Sequence, residues 1–345
     1  MLKREVISIA KGLMIIAMVI GHSYAPVAIK GFMCMFPMPL FFLCSGYCLK
    51  PEYQTDIRLY LKKRTKRLYW PFVKYTLFFM LLHVIFCQTE IFHIGGQGCV
   101  YDGFSFVDYL KMLCKVVLKM DEPEHLLGGF WFLRELFIAS LMFAALSLVS
   151  VKKSALYVAL LALVGLYMLF SVYDLKFYVF TKKTFLSCVF YFIGFLLRPC
   201  EFKKSGRLLF ASFVVTCVVA CFFPLTMDTK MTYLVVPCIA FALVGSFMAL
   251  EVSMFIQSYN GALNRFLVYV GNHTLWILVY HLVSMKLVSL FLIQIYHLEM
   301  SHIADYPTIK SEYVQSWGWM LYTIVGVGVP LALVYCKERL LSPRK

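Results

Sequence analysis

Three catalytic signatures are missing from this sequence. It holds no glycine-rich phosphate loop, no Gly-x-Ser-x-Gly elbow and no His-Glu-x-x-His pair, so kinase, hydrolase and metalloprotease readings lack their minimum parts. Acidic residues are scarce, 18 Asp and Glu against 33 Lys and Arg, for a formal net charge of +15. The 12 cysteines include no Cys-x-x-Cys and no metal-ligand spacing. Most of them (Cys44, Cys48, Cys188, Cys217, Cys221 and Cys238) sit inside apolar runs, where a thiol packs as a small apolar filler. No metal is therefore expected. Cys87, Cys99 and Cys114 fall in or near one connection and have the opportunity to pair, though nothing in the sequence compels it. No internal repeat, low-complexity tract or second soluble core is visible.

What fills the chain instead is apolar sequence. Hydrophobic residues make up 61% of the 345, and the mean hydropathy is +0.79. Ten apolar runs, at about 6–25, 33–49, 68–88, 131–150, 154–172, 184–199, 207–225, 231–250, 266–295 and 316–336, each approach the length needed to cross a bilayer. The predicted fold class is all-α, a polytopic integral membrane protein of about ten transmembrane helices forming one domain over 1–345. The basic residues lie in short connections, as topology signals do, which argues against a nucleic-acid partner. An even number of spans puts both termini on one side, and the concentration of Lys and Arg in alternate connections predicts that side to be cytoplasmic.

The first run reads Lys11-Gly-Leu-Met-Ile-Ile-Ala-Met-Val-Ile-Gly-His22. Ionisable side chains in hydrocarbon are costly, so two in one span mark a functional site by default. Eleven helical residues turn about three times, placing Lys11 and His22 on one face about 16 Å apart. They cannot touch, but they can hold two ends of one long ligand, with Ser8, Ile15 and Met18 along the same stripe. Gly12 and Gly21 would admit a close neighbouring helix. The plainer alternative is a snorkelling Lys11 and a packed His22. A signal peptide is disfavoured by the lysine inside the run and by Pro26 after the supposed cut.

The second run, Phe36-Pro-Met-Pro-Leu-Phe-Phe-Leu-Cys-Ser-Gly-Tyr47, carries two prolines that should break its outer half beside His22 and open a polar cavity there, or simply kink a packed helix. Ser45-Gly46 reads first as packing. The long inner connection ends in Lys62-Lys-Arg-Thr-Lys-Arg67, five cations in six residues. That is a topology anchor or an anionic-lipid contact, or else a phosphate clamp, with Arg64 and Arg67 one helical turn apart. The outer connection, about 89–130, is acidic, and its apolar residues between Val107 and Leu118 recur at helical spacing, predicting a helix in the outer interface.

The fourth run opens Gly128-Gly-Phe-Trp131-Phe-Leu-Arg134-Glu135, near the depth of His22. A carboxylate beside an imidazole raises its basicity, so Glu135 or Arg134 is expected to complete a His22 site, unless both are interfacial charges flanking a tryptophan anchor. The ninth run places His281 near mid-membrane, with Lys286 after it; an inter-helix strut is the plainer reading.

Taken in order, Lys11 eleven before His22, Phe42-Leu-Cys-Ser-Gly-Tyr47, Arg64 and Arg67 before Pro71, Trp131-Phe-Leu133 and a glycine-led span closing on His281 form one pattern. It resembles the acyltransferase family 3 membrane proteins, integral-membrane O-acyltransferases of surface polysaccharides, and within them the branch similar to fucose 4-O-acetylases. The resemblance covers essentially the whole chain. It implies a multi-pass enzyme of a bacterial inner membrane that takes an acyl group, usually acetyl, from cytosolic acyl-CoA and passes it to a hydroxyl of a surface or lipid-linked carbohydrate. By the same resemblance His22 is the essential histidine, with Lys11, Arg64 and Arg67 toward the acyl-CoA donor; Trp131, Arg134, Ser45 and His281 are possible pocket residues beside Glu135. Membrane lipid is a partner, and any further transfer would use a separate extracytoplasmic protein. Lys11 stands where many members have arginine, and Leu278 where many have tyrosine. A transporter or flippase of a lipid-linked sugar or small organic anion is the alternative, since it too needs kinked helices and buried charges. A non-catalytic scaffold would not need them.

Overall fold

Hydrocarbon offers backbone amides no water, so a buried apolar chain must satisfy them within each segment, as a helix does. The computed structural model describes residues 2–50, 52–89, 91–92, 105–149, 152–223, 226–227, 235–310, 314 and 316–341. Within these the chain is overwhelmingly helical, and the described residues form no strand beyond an isolated bridge between Phe177 and Phe180. In order come α1 (Arg4–His22), α2 (Val27–Met35), α3 (Pro37–Tyr47), α4 (Ile57–Arg64), α5 (Trp70–Gln88), α6 (Phe106–Lys119) and α7 (Trp131–Val149). There follow α8 (Lys153–Val172), α9 (Lys182–Leu196), α10 (Gly206–Phe222), α11 (Val235–Tyr259), α12 (Ala262–Asn272), α13 (Thr274–Ile295) and α14 (Gly318–Leu341).

Eight helical segments among the described residues are long and apolar enough to cross a membrane: α1, the α2–α3 unit, α4 running into α5, α7, α8, α11, α13 and α14. The shorter α9 (15 residues) and α10 (17 residues) stand at the other two apolar runs. The chain is a multi-pass membrane protein.

Three interruptions shape it. Phe36 leaves helical geometry (φ −120, ψ −12), and Pro37 then opens α3 at a position where a missing N–H costs nothing. Pro71 also lacks a donor; just before it the chain widens into a π-helical turn, Thr65–Tyr69, in which the Trp70 N–H reaches back to the Thr65 carbonyl. The third break corrects the reading of 266–295 as one span. The helix ends at Asn272 and restarts at Thr274, with the His273 ring nitrogen Nδ1 2.8 Å from the Tyr269 carbonyl. Thirty continuous residues would run about 45 Å, well beyond the hydrocarbon thickness, and Gly271-Asn272 supplies the weak point.

Glycines set the closest crossings. A Cβ at Gly12 would collide with the Leu267 carbonyl and one at Gly271 with that of Ser8, so α1 and α12 touch backbone to backbone. Gly46 and Gly194 do the same for α3 and α9, against the carbonyls of Tyr191 and Leu43. This is the small-residue contact that membrane helices use in place of a hydrophobic drive. Gly21 lies against the Cys34 thiol.

Outside the spans, α6 begins with a Ser105–Asp108 capping box where the periodicity had placed a helix. The buried His83 and Glu124 pair at 3.0 Å, fastening the connection after α6 to α5. Cys87 is disulfide-bonded, and Cys114 carries a free thiol. The buried Lys286 ammonium donates to the carbonyls of Ile303 (2.8 Å) and Asp305 (2.6 Å), which fixes the segment after α13 to the middle of that helix.

Candidate functional site

The kinked α3, the first turns of α1, the α4–π-turn segment, α7 and the start of α13 enclose a cavity of about 470 Å³. That volume falls in the range usual for small-molecule sites, about 300–1,000 Å³. Lys11, Lys50, Lys63, Arg64 and Arg67 line it together with Tyr53, Ser45 and Cys48; deeper in, the wall becomes Ile15, Met38, Phe41, Phe132, Leu133 and Leu278. Four residues singled out in the sequence, Lys11, Ser45, Arg64 and Arg67, thus come together. Its charged lining stands at the Lys50 and Lys63 end of α3, while Met38, between the two prolines, contributes to the apolar wall.

Arg64 is held in place rather than free. Its Nη1 donates to Ser45 Oγ at 3.1 Å and its Nη2 to the Tyr191 hydroxyl at 2.8 Å. The guanidinium lies over the rings of Tyr60 (5.1 Å) and Tyr191 (5.8 Å), whose hydroxyls are 2.8 Å apart. A planar fork fixed by stacking and two hydrogen bonds loses little freedom when it meets a ligand, an advantage a lysine lacks. The π-helical turn follows directly and changes the register between Arg64 and Arg67, yet both still face the cavity. Sequence reasoning missed both tyrosines: Tyr60 stands one turn before Arg64 without marking itself, and Tyr191, on a distant helix, left no local signal.

The cavity stops beside a second feature. Its lining reaches Ile15 on α1 and Leu278 on α13. One turn beyond Leu278 stands His281, and its ring centroid lies 5.4 Å from that of His22, the planes inclined by 48°. His281 is fully buried, and its Nδ1 sits 3.0 Å from the Ile277 carbonyl and 3.1 Å from that of Leu278. Carbonyl oxygens only accept, so Nδ1 carries the proton and Nε2 the lone pair. Nε2 is buried without a hydrogen-bond partner. His22, at the end of α1, is partly buried, about 10 Å beyond Ile15 along the helix.

A family model described as an acyltransferase domain, that of acyltransferase family 3, matches residues 5–337, nearly the whole chain. The chain belongs to that family. No curated protein and no solved structure gives a significant match.

In this acyltransferase the expected charged residues of α7 occupy a third place. Arg134 Nε and Nη2 both point at one oxygen of Glu135, at 3.3 and 3.0 Å, and Glu135 is fully buried. Adjacent residues point different ways around a helix, yet the long arginine curls back onto its neighbour. The ring standing beside His22 is therefore a second histidine, while Glu135 is engaged by Arg134. Trp131 lies at the head of α7, with the Lys183 ammonium 4.8 Å over its ring. Gly129 adjoins the histidines: a Cβ there would meet Leu278 Cδ1 at 2.8 Å and lie 3.9 Å from His281 Cε1. Among the described residues no group of three or more His, Cys, Asp or Glu is arranged to hold a metal.

Proposed function

We propose that this acyltransferase moves an acyl group, most simply acetyl, from cytosolic acyl-CoA to a hydroxyl of a surface or lipid-linked carbohydrate. The observation that carries the reading is the alignment of a cation-lined cavity with a histidine pair one helical turn past its end. An acyl-CoA pairs a polyanionic head with a long thin arm. Lys50, Lys63 and Arg67, with the fixed fork of Arg64, suit the phosphates. Lys11 and the apolar wall from Met38 to Leu278 suit the arm.

His22 is then the general base. As the acceptor oxygen attacks the thioester carbonyl, the imidazole takes the hydroxyl proton, the C–S bond breaks, and the proton passes to the departing thiolate. A neutral-range base suits that task. Acyl transfer onto a histidine nitrogen, then onto the hydroxyl, balances equally well, and the Nε2 lone pair of His281 gives that second route a nucleophile. On this reading the termini and the cationic end of the cavity face the cytoplasm, which the basic connections and a disulfide at Cys87 on the opposite, oxidising face support.

Incubating the purified protein with radiolabelled acetyl-CoA and an extracted glycan tests this. Label appearing on glycan hydroxyls is the expected result. Label taken up into vesicles without transfer would make the protein a carrier and overturn the proposal.

A further inference from the structure

Across Gly128-Gly129 from the histidines lies a group of charged side chains that neither the cavity nor the imidazole pair uses. Glu122 comes from the connection after α6, Arg134 and Glu135 from α7, and Lys183 from α9. Glu135 receives Arg134 on one oxygen, while its other oxygen, Oε2, is buried with no hydrogen-bond partner. Oε2 of Glu122 is in the same condition. Burial holds the Glu122 carboxyl up at about 8, against the pull of Arg134 and Lys183 and with a further push from Glu135 and Asp121. Tyr306 stands near the group, its hydroxyl lying where a Cβ of Gly128 would be and within the electrostatic reach of Glu122.

Buried carboxyl oxygens without donors cost free energy, and native structures keep few of them. Two in one cluster call for a ligand that brings hydrogen-bonding groups of its own, a donor for Glu135 and either a donor or an acceptor for a protonated Glu122. Arg134 meanwhile has five N–H donors and directs only two of them at Glu135. The site therefore offers acceptors and donors side by side. A hydroxyl is both at once, so a ring bearing several hydroxyls complements it. With Glu122 protonated near neutral pH, Glu135 and Asp121 stand against Arg134 and Lys183, leaving no strong net field to favour an ion. An acidic sugar would have to set its own carboxylate against that of Glu135.

We infer that Glu122, Arg134 and Glu135 form the acceptor subsite, and that the acceptor presented there is a neutral, polyhydroxylated sugar ring. This rests on the acyltransferase reading above and adds the place and charge class of the hydroxyl-bearing substrate.

The test uses the full chain in lipid nanodiscs. Binding of methyl α-glucopyranoside, methyl α-galactopyranoside, methyl α-mannopyranoside and glucuronate is followed by saturation-transfer NMR, with acetyl-CoA binding measured in parallel by calorimetry. At least one methyl glycoside should bind and glucuronate should not. Glu122→Leu, which removes both oxygens at similar volume, should weaken the glycoside about tenfold or more while acetyl-CoA affinity stays unchanged. Glu122→Gln, which keeps hydrogen-bonding atoms, should retain most of the binding. A dodecyl glycoside arm assigns the source: tighter binding than the methyl glycoside points to a membrane-borne acceptor, equal binding to a soluble one, and either supports the subsite. Failure of every glycoside to bind, glucuronate binding as tightly as the neutral sugars, or indifference to Glu122→Leu overturns it. Glycoside binding without acetyl-CoA binding would leave the subsite standing and remove the acyl-CoA donor instead.

Discussion

The imidazoles of His22 and His281 lie 5.4 Å apart between ring centroids, although one ends the first helix and the other sits in the middle of α13. The backbone carbonyls of Ile277 and Leu278 fix the tautomer of His281, leaving its lone pair on a buried nitrogen. His22 has no such restraint from its own turn and is the more accessible of the two. Replacing His22 with alanine is expected to lower turnover by about 10²–10⁴-fold, the usual worth of a positioned general base, with acetyl-CoA affinity retained. His281→Gln should lower turnover as well. Trapping labelled protein with acetyl-CoA alone distinguishes the two routes: label lost in His281→Gln but kept in His22→Ala assigns His281 as acyl carrier.

Arg64→Lys keeps the charge and gives up the fork. The bonds to Ser45 and Tyr191 cannot both be remade by a single ammonium. KM for acetyl-CoA should rise about tenfold or more with a smaller change in kcat. Arg67→Ala, at the same cavity wall, should also raise KM. Steady-state kinetics at varied acetyl-CoA concentration separates these effects from a loss of folded protein.

Gly271→Ala tests the α1–α12 contact. The new methyl would run into the Ser8 carbonyl, a backbone atom that cannot swing away, so the two helices must separate. Overpacking of this kind costs about 1–3 kcal/mol. A lowered melting temperature in detergent is expected, with acetyl-CoA binding impaired because the cavity wall at Lys11 moves with α1. Gly165→Ala, on the outward α8 where nothing lies near the added carbon, should melt as wild type.

Glu122 gives a pH signature. Its folded carboxyl, at about 8, holds a proton more tightly than an ordinary one at 4.5. Its contribution to stability is therefore present in full below 4.5 and is lost as pH rises through about 8. The groups facing it are Arg134, Glu135, Asp121, Lys183 and Tyr306. Melting temperature should fall between about pH 4.5 and about pH 8, and Glu122→Gln should remove that component of the fall. An unchanged slope in the variant would refute the assignment to Glu122.

Hydropathy made the helices legible because bilayer thickness sets their length, and Pro37 and Pro39 marked a real break. The stop at His273 was hidden inside one apolar run, since Leu267, Val270 and Ile277 on either side are equally buried and equally apolar. Positive charge pointed to Arg64 and Arg67, yet the tyrosines that fix Arg64 depend on helix packing and not on local pattern. The same holds for His281 beside His22, which the packing of α1 against α13 brings together across most of the chain.

Leu278 has one face on the cationic cavity and its carbonyl on His281, and it is 4% exposed. A membrane that stores energy as a proton gradient cannot tolerate an open wet channel through a resident enzyme. A hydrocarbon side chain at that junction offers an ion no hydrogen-bonding partner, so on the proposed reading an acyl group would pass toward the histidines by a route that favours neutral cargo over protons.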